Sequence, residues 1–263
     1  MNNTKKLITN RLAFLDKKYP AWLSTASLVG VVIVWELITR TGIISELFLP
    51  APSNILAEGV KMLSSGEIFN NLMASLYRIA LGYLIGGIAG IAVGLLTGMS
   101  KLADVTGTPI VYALYPIPKI ALLPLIILWL GIGEVSKVTV ISLGVFFPVA
   151  INTYSGVKNI DPLYVKVAIS FYASKFSLMR KVILPGALPV IFAGLKLAAG
   201  TSLLMLVAAE MIAAQEGIGA MILHYGDLML TTKLMVGVII LSLLGILFTK
   251  SLELLEKKIV PWK

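Results

Sequence analysis

The sequence predicts an all-α, polytopic membrane protein with about six transmembrane helices. Three observations predict it. Of the 263 residues, 58% are hydrophobic and only 13% are charged, and mean hydropathy is +0.94. A soluble domain of this length needs a far more charged surface. Windows of about 20 apolar residues, the length of helix that crosses a bilayer core, recur at roughly 21–40, 76–98, 108–131, 136–157, 189–212 and 234–254. The basic residues fall unevenly among the segments between these windows.

Composition also excludes several kinds of chemistry. Cysteine is absent, so there is no thiol nucleophile and no disulfide framework. His224 is the single histidine and no HExxH occurs, which argues against a metal site. The net charge of +9 is scattered between apolar spans and builds no aromatic-studded basic surface, so nucleic acid is not an expected partner. No phosphate-binding G-x-x-x-x-G-K-[ST] loop is present, and the chain is not its own motor.

In chain order, residues 1–20 read as a basic tail carrying Lys5, Lys6, Arg11, Lys17 and Lys18. No small-residue cleavage site follows the first apolar run, so that run reads as a retained span and 21–263 as one transmembrane domain. Pro50 and Pro52 mark a turn, after which Ser53 or Asn54 is expected to cap a short amphipathic helix reaching about Leu63.

The second span carries Gly82, Gly86, Gly90, Gly94 and Gly98, one every fourth residue. On a helix these stack into a groove without side chains, which lets another backbone approach closely in lipid. The third span contains Pro109, Pro116, Pro118 and Pro124 and is expected to be kinked or broken.

Counting Lys and Arg by loop sets the orientation. With the N-terminus inside, fifteen fall on cytoplasmic segments and five on or near the outer ends, while Lys119 and Lys196 lie within spans. That asymmetry places both termini in the cytoplasm, together with the loop 158–188.

This loop is the longest stretch that is neither apolar enough for lipid nor disordered in composition. Asp161-Pro162 is a good helix start, and Leu163, Val167 and Phe171 recur every fourth residue to give one apolar face. Phe176, Met179 and Ile183 make a second short run, which Leu184-Pro185 is expected to stop. Two amphipathic helices between spans, with five basic residues on the loop, read as a surface for a partner to grip.

The loop resembles the coupling loop of the permease subunits of bacterial ABC importers. That pattern is roughly Glu-Ala-Ala, three residues, Gly, and then about nine further residues to an Ile/Leu-x-x-Pro close. Lys166-Val167-Ala168, Tyr172 and Ile183-Leu184-Pro185 stand in those places, so a lysine replaces the pattern's glutamate and a tyrosine its glycine. The segments LPAPSNI, SLYRIALGY, ALLPLIILWLGIGEVSK, FFPVAINTYSGV, LPGALPVIFAGLK and VAAEMIAAQEGIG extend the likeness to the taurine, aliphatic sulfonate, nitrate and bicarbonate permeases and to vitamin-precursor importers.

The resemblance implies a homodimer in the inner membrane, two ATPase subunits that bind ATP and Mg, an extracytoplasmic solute-binding protein, and no cofactor on this chain. The ATPase-coupling residues it implies are Lys166, Val167, Ala168, Phe171, Tyr172, Ala173, Ser174, Leu184 and Pro185. The expected cargo is a small anion such as a sulfonate, taurine, nitrate or bicarbonate. A heterocyclic vitamin precursor, or a self-sufficient secondary transporter, are the alternatives.

Three charged residues inside the spans are candidates for the substrate pathway. Glu210 lies near the end of span five, where an acid in lipid faces the bundle or a wet cavity. Lys196 attracts an anion or snorkels to the headgroups. Lys119 follows Pro116 and Pro118, where a broken helix exposes an ammonium to a cavity.

Overall fold

Five glycines set the central contact of the fold. The computed structural model describes residues 20 and 22–262. Of the expected basic tail, 1–19 lie outside the described residues.

Helix α1 is Trp22–Arg40, α2 is Pro52–Ser64, α3 is Glu67–Met99 and α4 is Lys101–Leu114. A short 3-10 turn, Lys119–Leu122, leads into α5, Leu123–Leu130, and then α6, Glu134–Lys158. Helix α7 is Pro162–Ser170 and α8 is Lys175–Leu178, followed by a π turn, Met179–Ile183. Helix α9 is Leu184–Ala213, α10 is Ile218–Asp227 and α11 is Thr231–Ile259.

The largest interhelical contact joins α3 to α6, and the next joins α6 to α9. In lipid no hydrophobic drive brings helices together, so close packing and polar contacts must do so. Gly82, Gly86, Gly90 and Gly94 are buried on the face of α3 that meets α6, and Gly98 continues the row. A Cβ added to Gly82, Gly94 or Gly98 would lie 2.5, 2.5 or 2.7 Å from Ile141, Thr153 or Val157 side-chain carbons. On Gly90 it would lie 2.7 Å from the Phe146 carbonyl oxygen, and Gly86 faces the Ser142 carbonyl in the same way. Carbon atoms meet at about 3.5–4.0 Å, so these sites have no room for a side chain. The other face of α6 repeats the arrangement, with Gly144 against Met205 and Gly194 on α9 against Asn152.

A polar tie runs along the same bundle. The Tyr83 hydroxyl donates to the Leu195 carbonyl at 2.7 Å, and its ring meets Phe248 of α11 edge-on at 4.7 Å.

Among the described residues, four helical stretches are long and apolar enough to cross a membrane: α3, α6, α11 and the continuous run Lys175–Ala213. The third expected span is broken into two arms, as its prolines predict. Helix α4 and the Lys119–Leu130 arm are bent by 86° at the break containing Pro116 and Pro118. Pro124 sits harmlessly in the first turn of α5, where its missing N–H has no helical partner to lose. The first arm begins at Lys101, earlier than the expected 108, with the Ser100 hydroxyl accepting from the Ala103 N–H. Helix α1 lies within the first expected span, is not one of these four stretches, and stands with its apolar residues exposed, touching chiefly α2.

Two boundaries differ from expectation. Neither Ser53 nor Asn54 caps α2; Ala51 is its N-cap. The capping acceptor comes from another helix, because the Glu36 carboxylate takes the Ser53 N–H at 3.0 Å and the Ser53 hydroxyl at 2.7 Å. Leu184-Pro185 does not stop the chain either. The Leu184 N–H bonds to the Met179 carbonyl, five residues back, and Pro185 falls in the first turn of α9. The wider π loop accommodates a residue that has no N–H to give. Span five therefore starts five residues before the expected 189 and is joined without a break to α8.

Candidate functional site

At one end of the bundle, local capping alone builds a small two-helix unit. The Asp161 carboxylate accepts the Leu163 N–H at 2.8 Å and starts α7. The Ser174 hydroxyl accepts the Ser177 N–H at 3.2 Å and starts α8. Between them the chain turns through a Schellman motif: the Ala173 N–H bonds to the Ala168 carbonyl and the Tyr172 N–H to the Ile169 carbonyl. Such a motif places its pivot residue in the left-handed region, and Tyr172 has φ +55°. This is the position where the coupling-loop pattern has glycine. The turn is retained although the residue is not, at a cost of about 1–2 kcal/mol for a side chain with a Cβ.

The unit presents its apolar side chains outward. Leu163, Val167 and Phe176 are exposed, Phe171 is 81% exposed and Tyr172 is 97% exposed. Lys166 is exposed beside them, whereas Ala168 and Ala173 are half-buried under the turn. Leu184 and Pro185 do not belong to this face. They are half-buried in the first turn of α9, and Leu184 packs against the cluster of Val157, Ile183, Ala187 and Ile191.

At the opposite end a charged network closes the bundle. Arg78 on α3 donates from Nη1 to Glu210 of α9 at 2.7 Å and to the Glu216 carbonyl at 2.6 Å. Its Nε and Nη2 grip Glu134 of α6 at 2.7 and 2.9 Å, and Lys137 pairs with the same carboxylate at 2.8 Å. Glu210 also accepts from Ser75 at 2.8 Å and from the Gly219 N–H at 2.8 Å.

Glu210 is fully buried and Arg78 is 4% exposed. Both Glu210 oxygens are occupied by donors of this chain, and the residue ties α9 to α3 and to the start of α10. Nearby, the Tyr225 hydroxyl donates to Glu67, and burial together with that carboxylate pushes the phenol up to about 12.

Sequence reasoning missed Arg78, Glu134 and Lys137 as parts of one site. By sequence, Arg78 and Lys137 count among the charges on or near the outer ends, and Glu134 stands only within the segment ALLPLIILWLGIGEVSK. The available signal was that SLYRIALGY, GIGEVSK and VAAEM each bring one or two charges to an apolar margin, where a charge needs a partner.

The two lysine candidates part company. Lys196 is paired with Glu256 of α11 at 2.8 Å. Lys119 forms no ion pair among the described residues. Its ammonium donates to the Tyr115 carbonyl and lies over the rings of Tyr115 and Phe147, 5.0 and 4.6 Å from their centroids. It sits at the break between the two bent arms, with Tyr112 and Tyr115 exposed around it.

The fold and its two ends define a polytopic α-helical membrane protein whose interior is devoted to helix contacts and whose exposed amphipathic loop lies between spans. Residues 82–261 match the family described as the inner membrane component of binding-protein-dependent transport systems, and the chain belongs to that family. It is 38% identical over 248 residues to the putative aliphatic sulfonates transport permease protein SsuC of Bacillus subtilis strain 168, covering 94% of this chain and 90% of that one. It is 35% identical to the taurine transport system permease protein TauC of Escherichia coli K12, covering 91% and 89%.

The formylaminopyrimidine transport permease protein ThiX of Halalkalibacterium halodurans is 30% identical, covering 95% and 99%. Among solved structures, a chain of the MetNI methionine ABC transporter in inward-facing conformations superposes with a TM-score of 0.61. It shares 21% identity, over 71% of this chain and 93% of that one, and establishes likeness of fold.

Proposed function

We propose that this chain is the membrane-spanning subunit of an ATP-driven importer for a small organic anion of the sulfonate class. It works as a homodimer in the inner membrane with both termini cytoplasmic. Two ATPase subunits bind ATP and Mg and dock on α7 and α8, and an extracytoplasmic binding protein delivers the solute to the end that carries α10. ATP binding biases a two-state alternation through the docked loop, and the loaded binding protein biases it from the other face.

The observation that carries this reading is the exposed α7–α8 unit. Its apolar face lies bare, and it runs without interruption into a span. A short helix set in a partner's cleft gains most from buried apolar anchors, and Leu163, Val167, Phe171 and Tyr172 supply them. The sulfonate class is supported by the SsuC and TauC relatives and by Lys119, a cation at a helix break with no carboxylate neighbour in the described structure. The ThiX relative supports a second reading, a heterocyclic precursor cargo.

The test is to reconstitute this chain with its ATPase and binding protein in liposomes. Taurine, alkanesulfonates, nitrate, bicarbonate and formylaminopyrimidine are then compared for stimulation of ATP hydrolysis. Stimulation by a sulfonate alone supports the proposal. Stimulation by formylaminopyrimidine alone selects the second reading, and uptake by this chain without an ATPase refutes both.

A further inference from the structure

Tyr172 combines two properties that are separately unfavourable. Its backbone holds a left-handed conformation, φ +55°, that glycine adopts without strain, and its ring is 97% exposed. Among the described residues nothing uses the ring: it joins none of the apolar clusters, and its backbone N–H is one of the two that close the turn. Strain that is retained without an internal return points to a function outside the fold.

The charges around it are equally one-sided. Lys166, Lys175, Arg180 and Lys181 form no ion pair among the described residues, whereas Lys158, at the edge of the loop, is already held by Asp104 at 2.7 Å. Asp161 is the only acid from 158 to 188, and its carboxylate caps α7.

We propose that Tyr172 is the principal anchor of the docking face, a ring carried on a strained turn into an aromatic-sized slot of the ATPase, and that the slot's rim is acidic opposite Lys166. This rests on the transport reading above and adds the chemistry of the contact. The occupant is one protein partner, recognised by an apolar pocket bordered by carboxylates. The anchor substitutes for glycine at the pivot, and the lysine inverts the charge of the pattern's glutamate, so the partner's surface must differ in both respects from one that receives a glutamate and a glycine.

The experiment uses the full-length chain and the ATPase subunit that co-purifies with it from its native membrane, titrated in detergent at several salt concentrations. Tyr172→Gly is expected to leave the isolated chain at least as thermally stable as the parent while weakening ATPase affinity tenfold or more. Tyr172→Phe is expected to bind within about threefold of the parent. Lys166→Glu is expected to weaken affinity and to remove the salt dependence.

Unchanged affinity of Tyr172→Gly, or a loss of thermal stability in that variant, overturns the anchor. Unchanged affinity of Lys166→Glu overturns the acidic rim. Those outcomes leave the transport reading standing. Failure of the parent chain to bind any ATPase overturns the transport reading, and this proposal with it.

Discussion

Arg78 and Glu210 meet at 2.7 Å with their side chains 5% and 0% exposed, 132 positions apart in the sequence. The pair joins the two helices that flank α6. Breaking a buried pair leaves one charge uncompensated, which costs about 3–5 kcal/mol, whereas replacing both partners by apolar residues of similar volume is often near neutral. Glu210→Ala or Arg78→Ala is therefore expected to lower the detergent-solubilised melting temperature sharply. The double variant Arg78→Met/Glu210→Met is expected to recover part of that loss. A double variant as unstable as the sum of the singles would falsify the assignment of the cost to unpaired charge.

The glycine row makes a positional prediction. Gly90→Ala and Gly94→Ala place a methyl group against α6, and overpacking of this kind costs about 1–3 kcal/mol. Gly30→Ala, which meets nothing within 4 Å, serves as the control and is expected to be silent. Thermal unfolding of the three variants side by side checks the difference. Equal behaviour would show that α3 and α6 separate readily.

The lysines should divide by readout. Lys119→Gln is expected to reduce anion-stimulated ATP hydrolysis in the reconstituted importer by tenfold or more. Lys196→Gln disturbs only the tie to Glu256, so it is expected to change stability without altering the concentration of solute needed for half-stimulation. Reversed roles for the two variants would remove Lys119 from the pathway.

Tyr225 sets a pH limit. Its folded-state value near 12 lies above that of a free phenol, about 10, because burial and Glu67 disfavour the phenolate. The neutral ring is thus favoured by the fold. This contribution is intact below pH 10 and is lost as pH rises from 10 to 12, where the unfolded chain releases the proton first. Tyr225→Phe is expected to flatten the stability profile across that window, as followed by thermal melts at graded alkaline pH. A profile unchanged by the substitution would assign the alkaline loss to other groups.

The sequence made some of this legible because some residues act through one dimension. Pro116 and Pro118 announced the break that the structure places between Leu114 and Lys119, since a missing N–H is a local fact, whereas Pro109 and Pro124 are absorbed within helices. The glycine spacing announced a face, although not that α6 would be its partner. What escaped was non-local or hidden by a compensating neighbour. Arg78, Glu134 and Glu210 read separately as marginal charges, because only folding brings three helices to one point. Pro185 read as a terminator because the π turn ahead of it, which makes it harmless, leaves no periodic trace in the residues. At Tyr172 the pattern's glycine was visibly missing, yet the backbone shows that its conformation was kept.

The uninterrupted run Lys175–Ala213 has a mechanical meaning. Its 39 residues, at about 1.5 Å of rise each, make a strut on the order of 58 Å long. One end sits beside the exposed turn and the other is bolted at Glu210. A rod pinned at its far end cannot slide freely when its near end is pushed; it must tilt about the pin or wind at its most compliant collar. That collar is Met179–Ile183, where the helix already runs one residue looser per bond. A displacement imposed at the near end would therefore reach the far end as tilt about Glu210 or as winding at Met179–Ile183.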